Sequence, residues 1–120
     1  MATILVIDDE ELARFTIQEI LESEGHVVLE AANGEEGLAV FRDNKVDLVI
    51  TDIIMPRKEG IETISELKAD APNLPVIAIS GGGRTRNLDF LELSKEYGAT
   101  SVVVKPFTDE DLMAVVNELL

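Results

Sequence analysis

Apolar residues recur along the chain in two alternating rhythms. Five short runs, rich in β-branched residues, are Thr3 to Ile7, Val27 to Glu30, Val46 to Thr51, Val76 to Ile79 and Ser101 to Val104. Between them lie longer stretches of helical period. Ala13, Ile17, Ile20 and Leu21 form one stripe before Gly25, and Leu112, Val115, Val116 and Leu119 form another near the end. Strict alternation of strand and helix predicts a parallel sheet with helices on both faces, a doubly wound α/β fold. The first, third and fourth runs are nearly continuous in apolar residues, as central strands buried on both sides should be. End signals agree with this reading. Asn33 with Glu36, and Thr108 with Asp111, have the spacing of helix N-caps paired with an acid in the first turn. Gly25 and Gly98 stand where helix C-caps belong.

Composition narrows the class. With 120 residues the chain has the size of one domain with one core, so residues 1–120 are read as a single unit without a linker. Apolar residues make up 46% and charged residues 28%, a globular rather than a disordered balance. The 24 acidic against 10 basic residues give a net charge of −14, which argues against direct binding to nucleic acid or to anionic membranes. There is no cysteine, so neither a disulfide nor a thiolate metal site is available. The first residues run straight into TILVI without a basic leader, and no apolar stretch reaches the length of a membrane span. Cytoplasmic residence is the expectation.

Chemistry gathers where the strand-like runs end. In an open parallel sheet, sites form outside the carboxyl ends of the strands. Asp8 and Asp9 follow the first run, Asp52 the third, Ser80 and Gly81 to Gly83 the fourth, and Lys105 with Pro106 the fifth. If the first and third strands are neighbours, three carboxylates converge, and like charges that close raise one another's pKa unless something positive lies between them. Carboxylate oxygens with room for water suit a hard octahedral cation such as Mg2+. Lys105 supplies the other nearby positive charge. These parts suit phosphoryl transfer, in which positioning and charge neutralisation dominate, with a carboxylate as nucleophile. Ser80 is placed to hydrogen-bond phosphoryl oxygens, and Gly81 would leave its N–H open to approach.

Taken singly, each signal has a plainer meaning. Acids after the first strand suit a helix dipole, Asp52 suits a turn before Pro56, and the glycines after Ser80 suit a flexible loop. His26 follows a C-cap glycine and is expected on the surface, without a catalytic role. The combination is what reverses the reading.

That combination resembles the response-regulator receiver domain, the phosphoacceptor module of two-component signalling. The resemblance spans essentially the whole chain. It rests on VIDDEE at Val6 to Glu11, VDLVITDIIMPRKEG from Val46 to Gly60, AIS at Ala78 to Ser80, and VVVKPFT ending at Thr108. It implies a flavodoxin-like (βα)5 three-layer sandwich with strand order 2-1-3-4-5. It further implies that Asp52 is the phosphoacceptor, that Asp8, Asp9, Asp52 and the carbonyl of Ile54 bind Mg2+ (replaceable by Mn2+ or Ca2+ in a crystal), and that Ser80 and Lys105 contact the phosphoryl group. The Lys105–Pro106 bond would be cis. The implied partners are a sensor histidine kinase or phosphotransfer protein and a downstream target or output domain, with dimerisation on phosphorylation as an option. The domain would assist its own phosphorylation and dephosphorylation without being an enzyme in the usual sense.

Three departures from the family pattern bear on behaviour. Val102 stands where the family often carries a large aromatic whose rotation reports phosphorylation. The loop GGGRTRN after Ser80 is glycine-rich and long. Ile54 and Gly82 stand at the positions that flank the path of the hydrolytic water in the family, and neither can orient a water by a side-chain hydrogen bond, so the resemblance predicts slow decay of the phosphoryl state. Leu88 to Tyr97 has helical spacing, with Phe90, Leu93 and Tyr97 on one stripe and Leu88 and Leu91 on another. One stripe is expected in the core, and the other is either buried too or presented to a partner. Two further functions stand beside the acceptor: a Mg2+-dependent phosphatase working through an aspartyl phosphate, which the missing Asp-x-Asp pattern disfavours, and a receiver-like interaction module that is never phosphorylated.

Overall fold

The computed structural model describes residues 2–52, 59–81, 96, 98–105 and 107–120. Its elements in chain order are β1 (Thr3–Ile7), α1 (Glu11–Ser23), β2 (Val27–Ala31), α2 (Gly34–Asp43), β3 (Leu48–Asp52), α3 (Glu59–Asp70), β4 (Val76–Gly81), β5 (Ser101–Lys105) and α4 (Asp109–Leu119). The five strands form one parallel sheet in the order β2-β1-β3-β4-β5. The doubly wound 2-1-3-4-5 fold expected from the sequence is therefore the fold observed.

The period of two along the strands sorts the core into two clusters. Leu5, Ile7, Val49, Val76 and Ala78 pack with Leu38 of α2 and with Ile64 and Leu67 of α3. Their strand neighbours Ile4, Val6, Leu48, Ile50, Ile77 and Ile79 turn to the other face, where Ile17, Ile20 and Leu21 of α1 and Leu112 and Val116 of α4 cover them. The sheet is thus the middle of three layers. Both helical stripes read from the sequence contribute the residues that face it.

Local signals set the helix ends. The Asn33 side chain accepts the Glu36 N–H at 2.8 Å, and Thr108 with Asp111 forms a reciprocal capping box. Gly25 and Gly98 have φ of 86° and 123°, which side chains with a Cβ disfavour.

Four strands end later than expected, β2 by taking in Ala31, which pairs with Ile7. β3, β4 and β5 include Asp52, Ser80 with Gly81, and Lys105 within the ladder rather than placing them in the loops beyond. Polar side chains do not prevent backbone pairing, so the ladder continues through them: Asp52 pairs with Ile79, Ser80 with Val104, and Gly81 with Lys105. At its other end β3 starts two residues late. The Asp47 carboxylate accepts the Thr3 N–H at 2.9 Å, taking the place of a ladder carbonyl. His26 is half-buried rather than on the open surface, because its Nδ1 accepts the Ala2 N–H at 3.1 Å and ties the start of β1 to β2.

One close approach bears on the site. A Cβ on Gly37 of α2 would lie 2.8 Å from Ile7 Cγ1 and closer still to its Cδ1, and Ile7 is wholly buried. Gly37→Ala gains about 1 kcal/mol of helix propensity but overpacks this contact, which costs about 1–3 kcal/mol. A net loss near 1 kcal/mol is expected in urea unfolding, together with a disturbed end of β1, where Asp8 follows Ile7.

Candidate functional site

Register brings the acids together. Ile7 pairs with Thr51 across β1 and β3, so Asp8, the residue after β1, comes beside Asp52, the last residue of β3. Carboxylate oxygens of Asp8, Asp9 and Asp52 all lie within 4.8 Å of one another. Asp8 and Asp52 are buried, whereas Asp9 is exposed and forms the outer lip. Three carboxylates this close, two of them withdrawn from water, repel one another unless a cation is shared between them. All the donor atoms are hard oxygens, one face is open to solvent, and no thiolate or imidazole is in the set. That donor chemistry fits magnesium or a similar hard divalent ion.

The turn carrying Asp8 and Asp9 is short and tied at several points. Asp8 N–H donates to the Ala31 carbonyl of β2 at 3.1 Å, and Asp8 Oδ1 accepts the Glu10 N–H at 2.9 Å. The Asp8 carbonyl accepts from Arg14 Nη1 at 2.8 Å. On the β3 side, the buried Thr51 hydroxyl donates to the Asp52 carbonyl at 3.1 Å.

Ser80 and Lys105 reach the same edge by backbone placement, one residue past the Asp52–Ile79 pair on β4 and at the last position of β5. Their side chains lie outside the described part of the structure, as do Ile54, the Lys105–Pro106 peptide, Gly82, and the Leu88 to Tyr97 segment apart from a helical backbone at Glu96. Val102 is half-buried, pairs with Ala78, and packs against the cluster under α2 and α3.

Arg14 was not among the residues singled out from the sequence. The available signal was its isolation, since no other lysine or arginine precedes Arg42 in a strongly acidic stretch. The exposed pair Leu12 and Phe15 on α1 was also missed, because periodicity identifies the stripe that packs and is silent about apolar residues off it.

Residues 4–117 match the model of the response regulator receiver domain. The chain is 38% identical over 120 residues to the transcriptional regulatory protein CpxR of Klebsiella pneumoniae, and spans 50% of that protein's length. It is 32% identical over 117 residues to sporulation initiation phosphotransferase F of Bacillus subtilis, covering 98% of this chain and 92% of that one. The crystal structure of a response regulator receiver domain protein from Clostridium thermocellum superposes with a TM-score of 0.90 at 38% identity, covering 99% of this chain and 94% of that one. No helix among the described residues is long and apolar enough to cross a membrane. A 2-1-3-4-5 parallel sheet, an acid triad at its carboxyl edge and a family match over nearly the whole length lead to one conclusion: the chain belongs to the response regulator receiver domain family.

Proposed function

We propose that this domain accepts a phosphoryl group on Asp52 from a phosphohistidine of a sensor kinase or phosphotransfer protein, in a Mg2+-dependent reaction, and that the added charge switches binding to a downstream partner or output domain. The observation that carries this reading is the convergence of the Asp8, Asp9 and Asp52 carboxylates within 4.8 Å at the strand ends.

The family resemblance supplies each residue's part. Asp52, fixed in the β3 ladder, presents a carboxylate oxygen to phosphorus; an O–P bond forms as the P–N bond to the donor imidazole breaks, and the imidazole nitrogen keeps the electron pair and is protonated. Asp8 and Asp9, with the Ile54 carbonyl, would hold the metal beside it. A bound magnesium ion would neutralise the carboxylates and the phosphoryl oxygens. Lys105 pairs with the transferred group and Ser80 hydrogen-bonds it, so the new charge of about −1.5 to −2 is met by residues of β4 and β5. The domain promotes this transfer onto itself and the later hydrolysis, and it does not turn over a separate substrate.

The donor must cover the edge that holds Asp52. Directly after Asp8 and Asp9, Leu12 and Phe15 stand exposed at 74% and 49% with the i, i+3 spacing of one helix face. This pair gives a donor protein an apolar foothold next to the site. Leu12→Asp is expected to slow transfer from any sensor kinase that phosphorylates the domain by about tenfold or more, while labelling by acetyl phosphate and the unfolding midpoint stay unchanged. Equal losses with both donors would place Leu12 in the site and not in docking.

The decisive test is to incubate the domain with acetyl phosphate and magnesium chloride and to weigh it intact. One added phosphoryl group, absent when EDTA is present, supports the acceptor. Turnover of unrelated phosphate esters would favour a phosphatase, and an unchanged mass would favour an interaction module.

A further inference from the structure

The β1–α1 turn is where the site depends most on its surroundings. Asp8 and Asp9 sit on three residues between the last residue of β1 and the first of α1, and the N-cap residue Glu10 makes no side-chain cap to the helix. Arg14 supplies a tie instead. Its Nη1 donates to the Asp8 carbonyl at 2.8 Å, while its Nε donates to Glu30 Oε1 at 3.1 Å. Glu30 belongs to β2 and stands opposite Val6, so the guanidinium spans from the second strand, across the end of β1, to the turn. Arg14 is 17% exposed and its partner Glu30 39%, so the guanidinium end of the pair is sheltered while the carboxylate end meets solvent. The rigid planar fork of arginine can serve both acceptors at once, which lysine cannot.

We infer that Arg14, oriented by Glu30, is a positioning residue for the cation site: it holds the Asp8 carbonyl so that the Asp8 and Asp9 carboxylates face Asp52. The inference rests on the metal-site reading above and adds a residue that touches neither ion nor phosphoryl group. Its signature is a sign. By charge alone, deleting a cation near three carboxylates strengthens their attraction for Mg2+. By positioning, deleting Arg14 frees the turn and weakens Mg2+ binding, by the roughly 10–100-fold typical of groups that orient metal ligands.

The experiment is calorimetric titration of magnesium chloride into the wild type, Arg14→Met, Arg14→Lys and Glu30→Gln, with urea unfolding of each. Positioning predicts affinity weakened roughly 10–100-fold in Arg14→Met, partial recovery in Arg14→Lys, and a smaller loss in Glu30→Gln, which keeps the Asp8 contact but loses the charge that aims it. It also predicts that affinity falls much further than the urea midpoint. Unchanged or tighter binding by Arg14→Met overturns the inference in favour of plain charge or none. Should Arg14→Met fail to fold, Arg14→Lys decides: it keeps the charge, so wild-type affinity there overturns the inference. A wild type that takes up no magnesium would instead overturn the metal-site reading, and this inference with it.

Discussion

Asp52→Asn is expected to leave a folded domain that takes up no phosphoryl group from acetyl phosphate, where the wild type gains one. Asparagine has nearly the volume of aspartate, so the buried position at the end of β3 keeps its packing, and the ladder pair with Ile79 uses only backbone. The amide lacks the anionic oxygen that attacks phosphorus, so the loss should be complete rather than partial. Removing one of three crowded carboxylates also relieves repulsion, so the unfolding midpoint in metal-free buffer should not fall. Intact-mass spectrometry reads the first result and circular dichroism the second. A residual single phosphoryl group on the variant would move the acceptor to Asp8 or Asp9. A collapse in stability would make Asp52 structural.

The fold was legible because its signals are local and redundant. The unbroken apolar run Ile4 to Ile7, period 3.6 in Ile17 to Leu21, the cap at Asn33 and the capping box at Thr108 each depend on residues a few positions apart, and each is realised. Strand order is different, since nothing in alternating apolar runs states which strands are neighbours. It came from family resemblance, and with it the convergence of Asp8, Asp9 and Asp52 that the register of β1 on β3 produces. Strand ends were misplaced by one or two residues for a simple reason. Apolar character stops at Ile79 and Val104, whereas backbone pairing continues through Ser80, Gly81 and Lys105. The consequence favours function, because side chains fixed on a ladder are held more tightly than side chains on loops.

What escaped the sequence depends on contacts between distant positions. Arg14 binds a carbonyl six residues back and a carboxylate on the next strand, and His26 accepts from Ala2. Neither relation leaves a periodic trace. Val102 shows the reverse case. Its identity alone excluded a rotating aromatic readout, and the structure packs this stiff β-branched side chain against the core over Ala78. A readout by ring rotation at that position is therefore closed to this chain.

Asp8→Asn is expected to remove the stabilisation that magnesium gives the wild type. An ion bound only by the native state stabilises by about 2.7 kcal/mol at a hundredfold excess over its dissociation constant. For a domain of this size that raises the unfolding midpoint by roughly 10 °C. Asp8 is the cleanest place to interrupt the effect. Asparagine retains an Oδ1 to accept the Glu10 N–H, and it leaves the backbone ties to Ala31 and Arg14 in place, so the turn keeps its geometry. What it loses is one of the charges that converge at the site, and affinity for a hard divalent ion falls with ligand charge. In EDTA the variant should melt at or above the wild-type temperature, because repulsion within the triad is reduced. In saturating magnesium the order should reverse. Differential scanning fluorimetry over a magnesium series reads both limits. Parallel rises in wild type and variant would show that the ion binds elsewhere.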